Sequence, residues 1–174
     1  MLKDTGIFPT LITERLTLRQ LSKEDAEEVF QLRTDPQINK YLDRKPSKTL
    51  GDALNFINNI NENIKNNESY YWAILMTGKE KLIGTICLFD FSKDKKNCEI
   101  GYELLTEYQG NGIMLEAIKK VIEYANQILG VKTIDALIHK ENRNSIKLVQ
   151  KLNFKKLENI NEENQNLILF RLTY

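Results

Sequence analysis

A short turn with two glycines, Gln109-Gly110-Asn111-Gly112, has the residue types and spacing of a site that binds an anion. An apolar stripe with helical spacing begins at Ile113, so the turn is expected to lead directly into a helix. Glycine permits positive φ and lets a ligand approach the backbone closely. The free N–H groups and the positive dipole end of a helix N-terminus attract phosphate. The turn therefore predicts a phosphate or pyrophosphate site, although two glycines also occur in turns that bind nothing.

Two common phosphate-binding loops do not match this stretch. No Lys-Ser or Lys-Thr follows Gly112, as a Walker A loop requires, and the third glycine of the dinucleotide fingerprint is missing. These differences argue against a nucleotide-binding protein of either kind.

The elements that must position the turn follow from hydrophobic periodicity and from turn residues. Capping boxes are expected at Ser22 and Thr49, and a left-handed helix end is expected at Gly130. The expected helices run over about 22–33, 49–67, 113–129 and 142–152, and the expected strands over 16–21, 70–76, 82–89, 98–105, 131–138, 154–157 and 167–172. The segment 38–46 is expected to be irregular, with Tyr41 and Leu42 lining a pocket.

Short connections between the three middle strands predict an antiparallel meander, and the strand, glycine turn, helix and strand predict one parallel pair. The predicted fold class is therefore α/β, with a mixed, mostly antiparallel sheet flanked by helices.

Composition narrows the class of protein. The chain has 174 residues, 41% of them hydrophobic and 28% charged, which fits one globular domain over 1–174. The net charge of +1 gives no reason to expect nucleic acid or a membrane as partner. No apolar run is long enough for a bilayer, and Met1 to Gly6 does not resemble a signal peptide, so a cytoplasmic location is expected. With only Cys87, Cys98 and the lone His139 as soft ligands, no metal is expected.

A set of motifs, read in order, resembles the GNAT superfamily of acetyl-CoA-dependent N-acetyltransferases, over about residues 13–170. The resemblance is strongest to the branch that contains the ribosomal-protein N-terminal alanine and serine acetyltransferases. The motifs are Thr13-Glu14-Arg15-Leu16-Thr17-Leu18-Arg19, Leu82-Ile83-Gly84, Glu99-Ile100-Gly101-Tyr102, Tyr108-Gln109-Gly110-Asn111-Gly112-Ile113, Glu116-Ala117, Asn142-Arg143-Asn144-Ser145 and Lys151-Leu152-Asn153-Phe154.

The resemblance implies an acyl-CoA N-acyltransferase fold in which the strand before the glycine turn splays away from its parallel neighbour. The pantetheine arm of acetyl-CoA would fill the resulting gap like a short extra strand. Backbone groups of Tyr102 and Leu104 would contact that arm, and the Leu104 N–H would donate to the acetyl carbonyl. The pyrophosphate would be held by Gln109, Gly110, Asn111, Gly112, Ile113 and Met114. Met114 departs from the small residue of the family pattern, and Glu116 suits the helix dipole.

The resemblance also implies direct attack of a free amine on the thioester. Glu99 is the candidate general base, and Glu103 is a second candidate on the same face of the strand. Val149 stands where many relatives carry a tyrosine that protonates the leaving thiolate. Ser145 is therefore the candidate acid, and Asn142 is a candidate pantetheine contact. Both residues also suit the first turn of an ordinary helix.

The predicted activity is acetyl transfer to a primary amine, with the α-amino group of a protein N-terminus as the expected acceptor. The alternatives are a small-molecule amine, such as a polyamine, an amino acid or an antibiotic, and a non-catalytic acyl-CoA-binding protein. A homodimer is a further expectation from the resemblance.

Overall fold

The computed structural model describes residues 7–158 and 164–174. In this part of the chain the strands are β1 (Leu11–Ile12), β2 (Leu16–Gln20), β3 (Tyr70–Met76), β4 (Leu82–Phe89), β5 (Asn97–Leu104), β6 (Thr133–His139), β7 (Lys155–Lys156) and β8 (Leu167–Thr173). The α-helices are α1 (Ala26–Thr34), α2 (Pro36–Asn39), α3 (Leu50–Lys65), α4 (Ile113–Gln127) and α5 (Arg143–Lys151), and single 3₁₀ turns cover Lys23–Asp25 and Thr106–Tyr108.

The strands form one sheet in the order β1-β2-β3-β4-β5-β6-β8-β7. Among the neighbouring pairs of the described sheet, β5 and β6 alone run parallel. The helix α4 connects these two strands, as a crossover between parallel neighbours requires. The expected mixed, mostly antiparallel sheet is confirmed.

Alternating side chains divide the core between the two faces of the sheet. On one face Trp72 and Ile74 pack with residues of α4 and with Val149 of α5. On the other face Tyr71 and Ala73, their neighbours along β3, pack with α1 and α3. The two faces are called the α4 face and the α1 face below.

Gly84 on β4 explains the Leu-Ile-Gly motif. A Cβ at this position would lie 2.5 Å from the Glu103 carbonyl oxygen and 2.8 Å from Cδ1 of Leu104. Only glycine therefore lets β4 approach the end of β5 this closely.

Most predicted elements are found, with differences at their ends. The capping box at Thr49 is present: its Oγ1 accepts from the Asp52 N–H at 3.2 Å, and its own N–H donates to the Asp52 carboxylate. Gly130 is left-handed, with φ of +73°, although α4 ends at Gln127.

The prediction that 38–46 is wholly irregular was wrong at its start, because the Asp35 carboxylate caps the short helix α2 by accepting from the N–H groups of Gln37 and Ile38. Strand β1 was not predicted, and β7 is shorter than expected. The N-terminal segment considered for a leader and most of the turn expected between the last two strands lie outside the described residues.

The two cysteines are free, and they lie in the cores of opposite faces. None of the helices within residues 7–158 and 164–174 combines the length and apolar character needed to cross a bilayer.

Candidate active site

The glycine turn has the backbone conformation that its composition predicted. Gly110 and Gly112 have φ of +79° and +73°, values that residues with a side chain rarely adopt. A Cβ built on Gly110 would meet no atom within 4 Å, so the turn is open on the outside. The Asn111 side-chain amide closes the turn by donating to the carbonyls of Tyr108 and Gln109 at 3.4 and 3.3 Å.

The turn and the first residues of α4 present unpaired donors. The six consecutive backbone N–H groups from Gly110 to Leu115 have no acceptor within the described part of the chain. The side chains of Ile113 and Met114 are buried in the core, so neither covers these donors. The unusual Met114 therefore leaves the backbone accessible. A row of free donors at a helix N-terminus fits a diphosphate.

A brace from the N-terminal motif holds the turn in place. The Glu116 carboxylate accepts from Thr13 Oγ1 at 2.6 Å, from the Arg15 N–H at 2.9 Å and from Arg15 Nε at 2.7 Å. Arg15 Nη1 also donates to the Asn111 carbonyl at 3.0 Å. These bonds hold the pKa of Glu116 below its ordinary value, although burial acts in the opposite direction. This brace was not predicted, because it joins residues about a hundred positions apart.

A gap opens between β5 and β6 beside the turn. The two strands pair only at Asn97↔Thr133, Cys98↔Ile134 and Glu99↔Asp135. Beyond Glu99, β5 continues to pair with β4, and β6 continues to pair with β8. The remaining half of each strand therefore has an unpaired edge facing the gap. The resemblance predicted such a splay.

The register with β4 shows which backbone groups of β5 face the gap. The Leu105 N–H donates to the Ile83 carbonyl at 2.8 Å, so Leu105 is oriented toward β4. Because orientation alternates along an antiparallel pair, Tyr102 and Leu104 turn their N–H and C=O groups toward the gap. Gln109 Nε2 donates to the Leu104 carbonyl at 2.9 Å, which ties the end of β5 to the glycine turn. The structure thus brings these predicted residues together.

On the α4 face, two hydroxyl groups meet beside the gap. The Tyr102 hydroxyl and Ser145 Oγ lie 2.6 Å apart. Burial raises the pKa of Tyr102 to about 12, so the phenol keeps its proton at neutral pH. Ser145 is in the first turn of α5, and its N–H donates to the Asn142 side-chain oxygen at 3.2 Å, so Asn142 caps the helix. Val149 is fully buried in the core. The contact of the Tyr102 phenol with Ser145 was not predicted.

On the α1 face, Glu99 lies where the two strands separate. Its carboxylate has no hydrogen bond or ion pair within the described residues. Burial raises the pKa of Glu99 above its ordinary value, and the carboxylates of Asp90 and Asp135 add to the rise. A carboxylate with a raised pKa is a stronger base once ionised.

Glu103 lies on the same face, farther along the gap, and it is already paired. Its carboxylate accepts from Arg44 Nη2 at 2.6 Å and from Thr85 Oγ1 at 3.4 Å. Arg44 belongs to the segment between α2 and α3, and Tyr41 from the same segment packs against His139 at the end of β6, with ring centroids 5.3 Å apart. The segment 40–48 therefore spans the gap on the α1 face, with contacts to both strands.

The sequence matches the model of the acetyltransferase (GNAT) domain over residues 15–155. It is also 34% identical to the uncharacterised N-acetyltransferase p20 of Bacillus licheniformis, over 84% of this chain and 83% of the relative. The chain therefore belongs to the GNAT acetyltransferase family.

Solved structures agree with this assignment at the level of the fold. The ribosomal-protein-S5-alanine acetyltransferase of Vibrio fischeri superposes with a TM-score of 0.81 at 21% identity, covering 95% of this chain and 96% of that one. The microcin C7 self-immunity acetyltransferase MccE, solved in complex with acetyl-CoA and AMP, superposes with a TM-score of 0.80 at 23% identity, covering 98% and 100%.

The protein is thus an acyltransferase that uses acetyl-CoA to acetylate an amine. The free donors of the glycine turn and the open strand edge beside it fit a diphosphate joined to an extended arm. Within the described part of the chain, no three His, Cys, Asp or Glu side chains are grouped as metal ligands would be.

Proposed function

We propose that this protein transfers the acetyl group of acetyl-CoA directly to a primary amine, with Glu99 as the base. The observation that carries the proposal is the open edge of β5, where backbone groups of Tyr102 and Leu104 face the gap directly beside the free donors of the glycine turn. A diphosphate on the turn directs the rest of the coenzyme along this edge.

The two faces of the sheet take different parts of the reaction. The coenzyme enters from the α4 face, where the glycine turn lies, and the amine enters from the α1 face, where Glu99 lies. The amine nitrogen forms a bond to the acetyl carbon while the carbon–sulfur bond breaks. The proton lost by the nitrogen goes to the Glu99 carboxylate, directly or through a water.

Donors beside the gap stabilise the charge that develops. The N–H groups of Tyr102 and Leu104 point toward the gap, and the one that lies beside the thioester donates to the acetyl oxygen; such a donor is typically worth about 3 kcal/mol in the transition state. The Ser145 and Tyr102 hydroxyls donate a proton or a hydrogen bond to the leaving thiolate. Asn142 caps α5 with its oxygen, and its amide N–H groups, which have no acceptor in the described structure, contact the pantetheine.

The proposed acceptor is the α-amino group of a protein N-terminus, supported by the branch resemblance and by the name of the Vibrio fischeri structure. A small-molecule amine is the second candidate, favoured by the likeness to MccE, whose structure holds AMP beside acetyl-CoA. A cytoplasmic location and a homodimer stay predictions of the sequence.

Release of coenzyme A thiol tests both acceptors in one assay. The protein is incubated with acetyl-CoA and either peptides with free N-terminal Ala or Ser, or small amines. Each peptide is paired with its N-terminally blocked form as control. Turnover on free peptides alone supports the first acceptor, and turnover on small amines alone supports the second. Tight acetyl-CoA binding without turnover on any amine would contradict the proposed transfer.

A further inference from the structure

Two arginines and one carboxylate form a half-buried cluster on the α1 face, made of Arg33, Arg44 and Glu103. Arg33 comes from α1, Arg44 from the segment between α2 and α3, and Glu103 from the open half of β5. Glu103 is almost fully buried, with 8% of its side chain exposed, and Arg44 is 22% exposed. The cluster therefore lies where an acceptor would approach the gap.

Arg44 is committed to partners in the protein. Its Nη2 pairs with Glu103 at 2.6 Å, and its Nε donates to the Asn39 side-chain oxygen at 2.7 Å. These bonds fix the segment 40–48 against β5, and they leave the carboxylate of Glu103 already neutralised by one guanidinium.

Arg33 has no such partner. Its Nε donates to Ser47 Oγ at 3.3 Å, and its guanidinium stacks on the Phe56 ring, 4.1 Å from the centroid. Within residues 7–158 and 164–174, it forms no ion pair with a carboxylate, and its two terminal nitrogens have no acceptor. Burial lowers the pKa of Arg33, and the nearby Arg44 lowers it further. The Phe56 ring and the hydrogen bond to Ser47 hold in place a cation whose two outer nitrogens have no acceptor in the described residues.

The charges of this cluster do not cancel, since two guanidinium groups face one carboxylate. The segment 40–48 adds Lys40, Lys45 and Lys48 against a single acidic residue, Asp43. The carboxylates of Glu99, Asp90 and Asp135 lie on the same face near the closed end of the gap, so the excess of positive charge is confined to the segment 40–48 and the Arg33–Arg44 pair. Such a field attracts anions, and a planar guanidinium with two free donors matches a carboxylate or a phosphate.

We propose that Arg33 binds an anionic group of the acceptor, so that the preferred substrates are primary amines that also carry a carboxylate or a phosphate. This inference rests on the proposed acetyl transfer and narrows its substrate class. The amine is then oriented toward Glu99 by an anchor at its other end, while Arg44 keeps the Glu103 carboxylate from repelling the anion.

Matched amines test this inference. Acetyl transfer to phosphoethanolamine is compared with transfer to ethanolamine, and transfer to β-alanine with transfer to β-alaninamide. The anionic member of each pair is expected to have a kcat/KM at least about tenfold higher, as a hydrogen bond to a charged group provides. The two pairs separate a phosphate preference from a carboxylate preference.

Variants assign the effect to one side chain. R33Q is expected to remove most of the kcat/KM difference between the anionic and the neutral amine of each pair, whereas R33K, which keeps the charge, retains part of this difference. K65Q removes the same charge from an exposed position on α3 and is the matched control. Equal use of anionic and neutral amines, or an R33Q enzyme with an unchanged preference, overturns the inference and leaves acetyl transfer intact.

A binding measurement decides the question even without turnover. Phosphoethanolamine is titrated into the coenzyme A complex of the wild type and of R33Q, with amide NMR signals as the readout. Shifts at Ser47 and Phe56 that R33Q abolishes support the anion site, and identical titrations of the two proteins contradict it. Loss of acetyl-CoA binding, measured separately, would contradict only the proposed function.

Discussion

At the scale of single residues, Glu99 differs from the other carboxylate of β5 because nothing in the described structure neutralises it. Glu103 pairs with Arg44, whereas burial raises the pKa of Glu99 and two neighbouring carboxylates add to the rise. A base must be able to lose and regain a proton without breaking an ion pair, so the structure favours Glu99 for this role.

Replacing Glu99 by glutamine is expected to lower kcat/KM by about a hundredfold. The wild-type kcat/KM should rise with pH through a pKa above the ordinary 4.5, and E99Q should lack this step.

The same group makes stability depend on pH. Because the native state holds the Glu99 proton more tightly than the unfolded state, wild-type stability falls as pH rises from the unfolded-state pKa to the raised native-state pKa. The Tm of E99Q should therefore exceed that of the wild type at pH 7 and match it below pH about 4.5. E68Q, on an exposed position, is the control, and an unchanged kcat/KM in E99Q would place the base elsewhere.

The hydroxyl of Tyr102 is expected to assist departure of the thiolate together with Ser145. Y102F should lower kcat by about tenfold, since coenzyme A thiol is already a fair leaving group. Its dissociation constant for acetyl-CoA should stay within about twofold of the wild type, since the backbone groups that face the gap are unchanged. Y124F makes the same chemical change on α4 and is the control. Equal losses in both variants would show a packing effect instead of proton donation.

At the scale of elements, the glycine turn and the far end of α4 allow a direct comparison. Gly112 and Gly130 both have φ of +73°, at the start and just beyond the end of the same helix. G112V and G130V should therefore lose similar stability from backbone strain. Only G112V places a side chain where a phosphate approaches, so it alone should raise the dissociation constant for acetyl-CoA, by about tenfold or more. Calorimetric titration and thermal unfolding measure both quantities, and equal affinities would argue against a phosphate site on the turn.

The elements were predictable where their signals are local. Apolar spacing, the capping box at Thr49 and the glycines at 110, 112 and 130 all act within a few residues, and each was found as expected. The short helix α2 was not, because Asp35-Pro36 both ends α1 and starts the next helix. The ends of β7 differ from the predicted ends because both residues of this edge strand are exposed, so no alternation of buried and exposed residues marks its bounds.

At the scale of the whole molecule, contacts between distant parts of the chain decide what local patterns cannot. The pairing of Arg44 with Glu103 and of Tyr102 with Ser145 depends on which residues the sheet places opposite one another. The contacts of the segment 40–48 with both strands of the gap, through Arg44 and Tyr41, also join residues that are distant in the sequence. The residues of the glycine turn are contiguous, so the sequence alone could indicate them. The residues proposed to contact the acceptor come from distant segments, and the sequence alone could not group them.

The brace from Thr13 and Arg15 to Glu116 links the first strands to the glycine turn, so local motions of the two segments are coupled. A ligand that immobilises the turn also suppresses local opening of the segment bonded to it. Acetyl-CoA should therefore slow amide hydrogen exchange in residues 13–18, although this segment lies outside the turn that we propose as the site of the diphosphate. In an R15Q variant this protection should shrink while that of α4 persists, so that exchange mass spectrometry would report coenzyme occupancy from the opposite end of the chain.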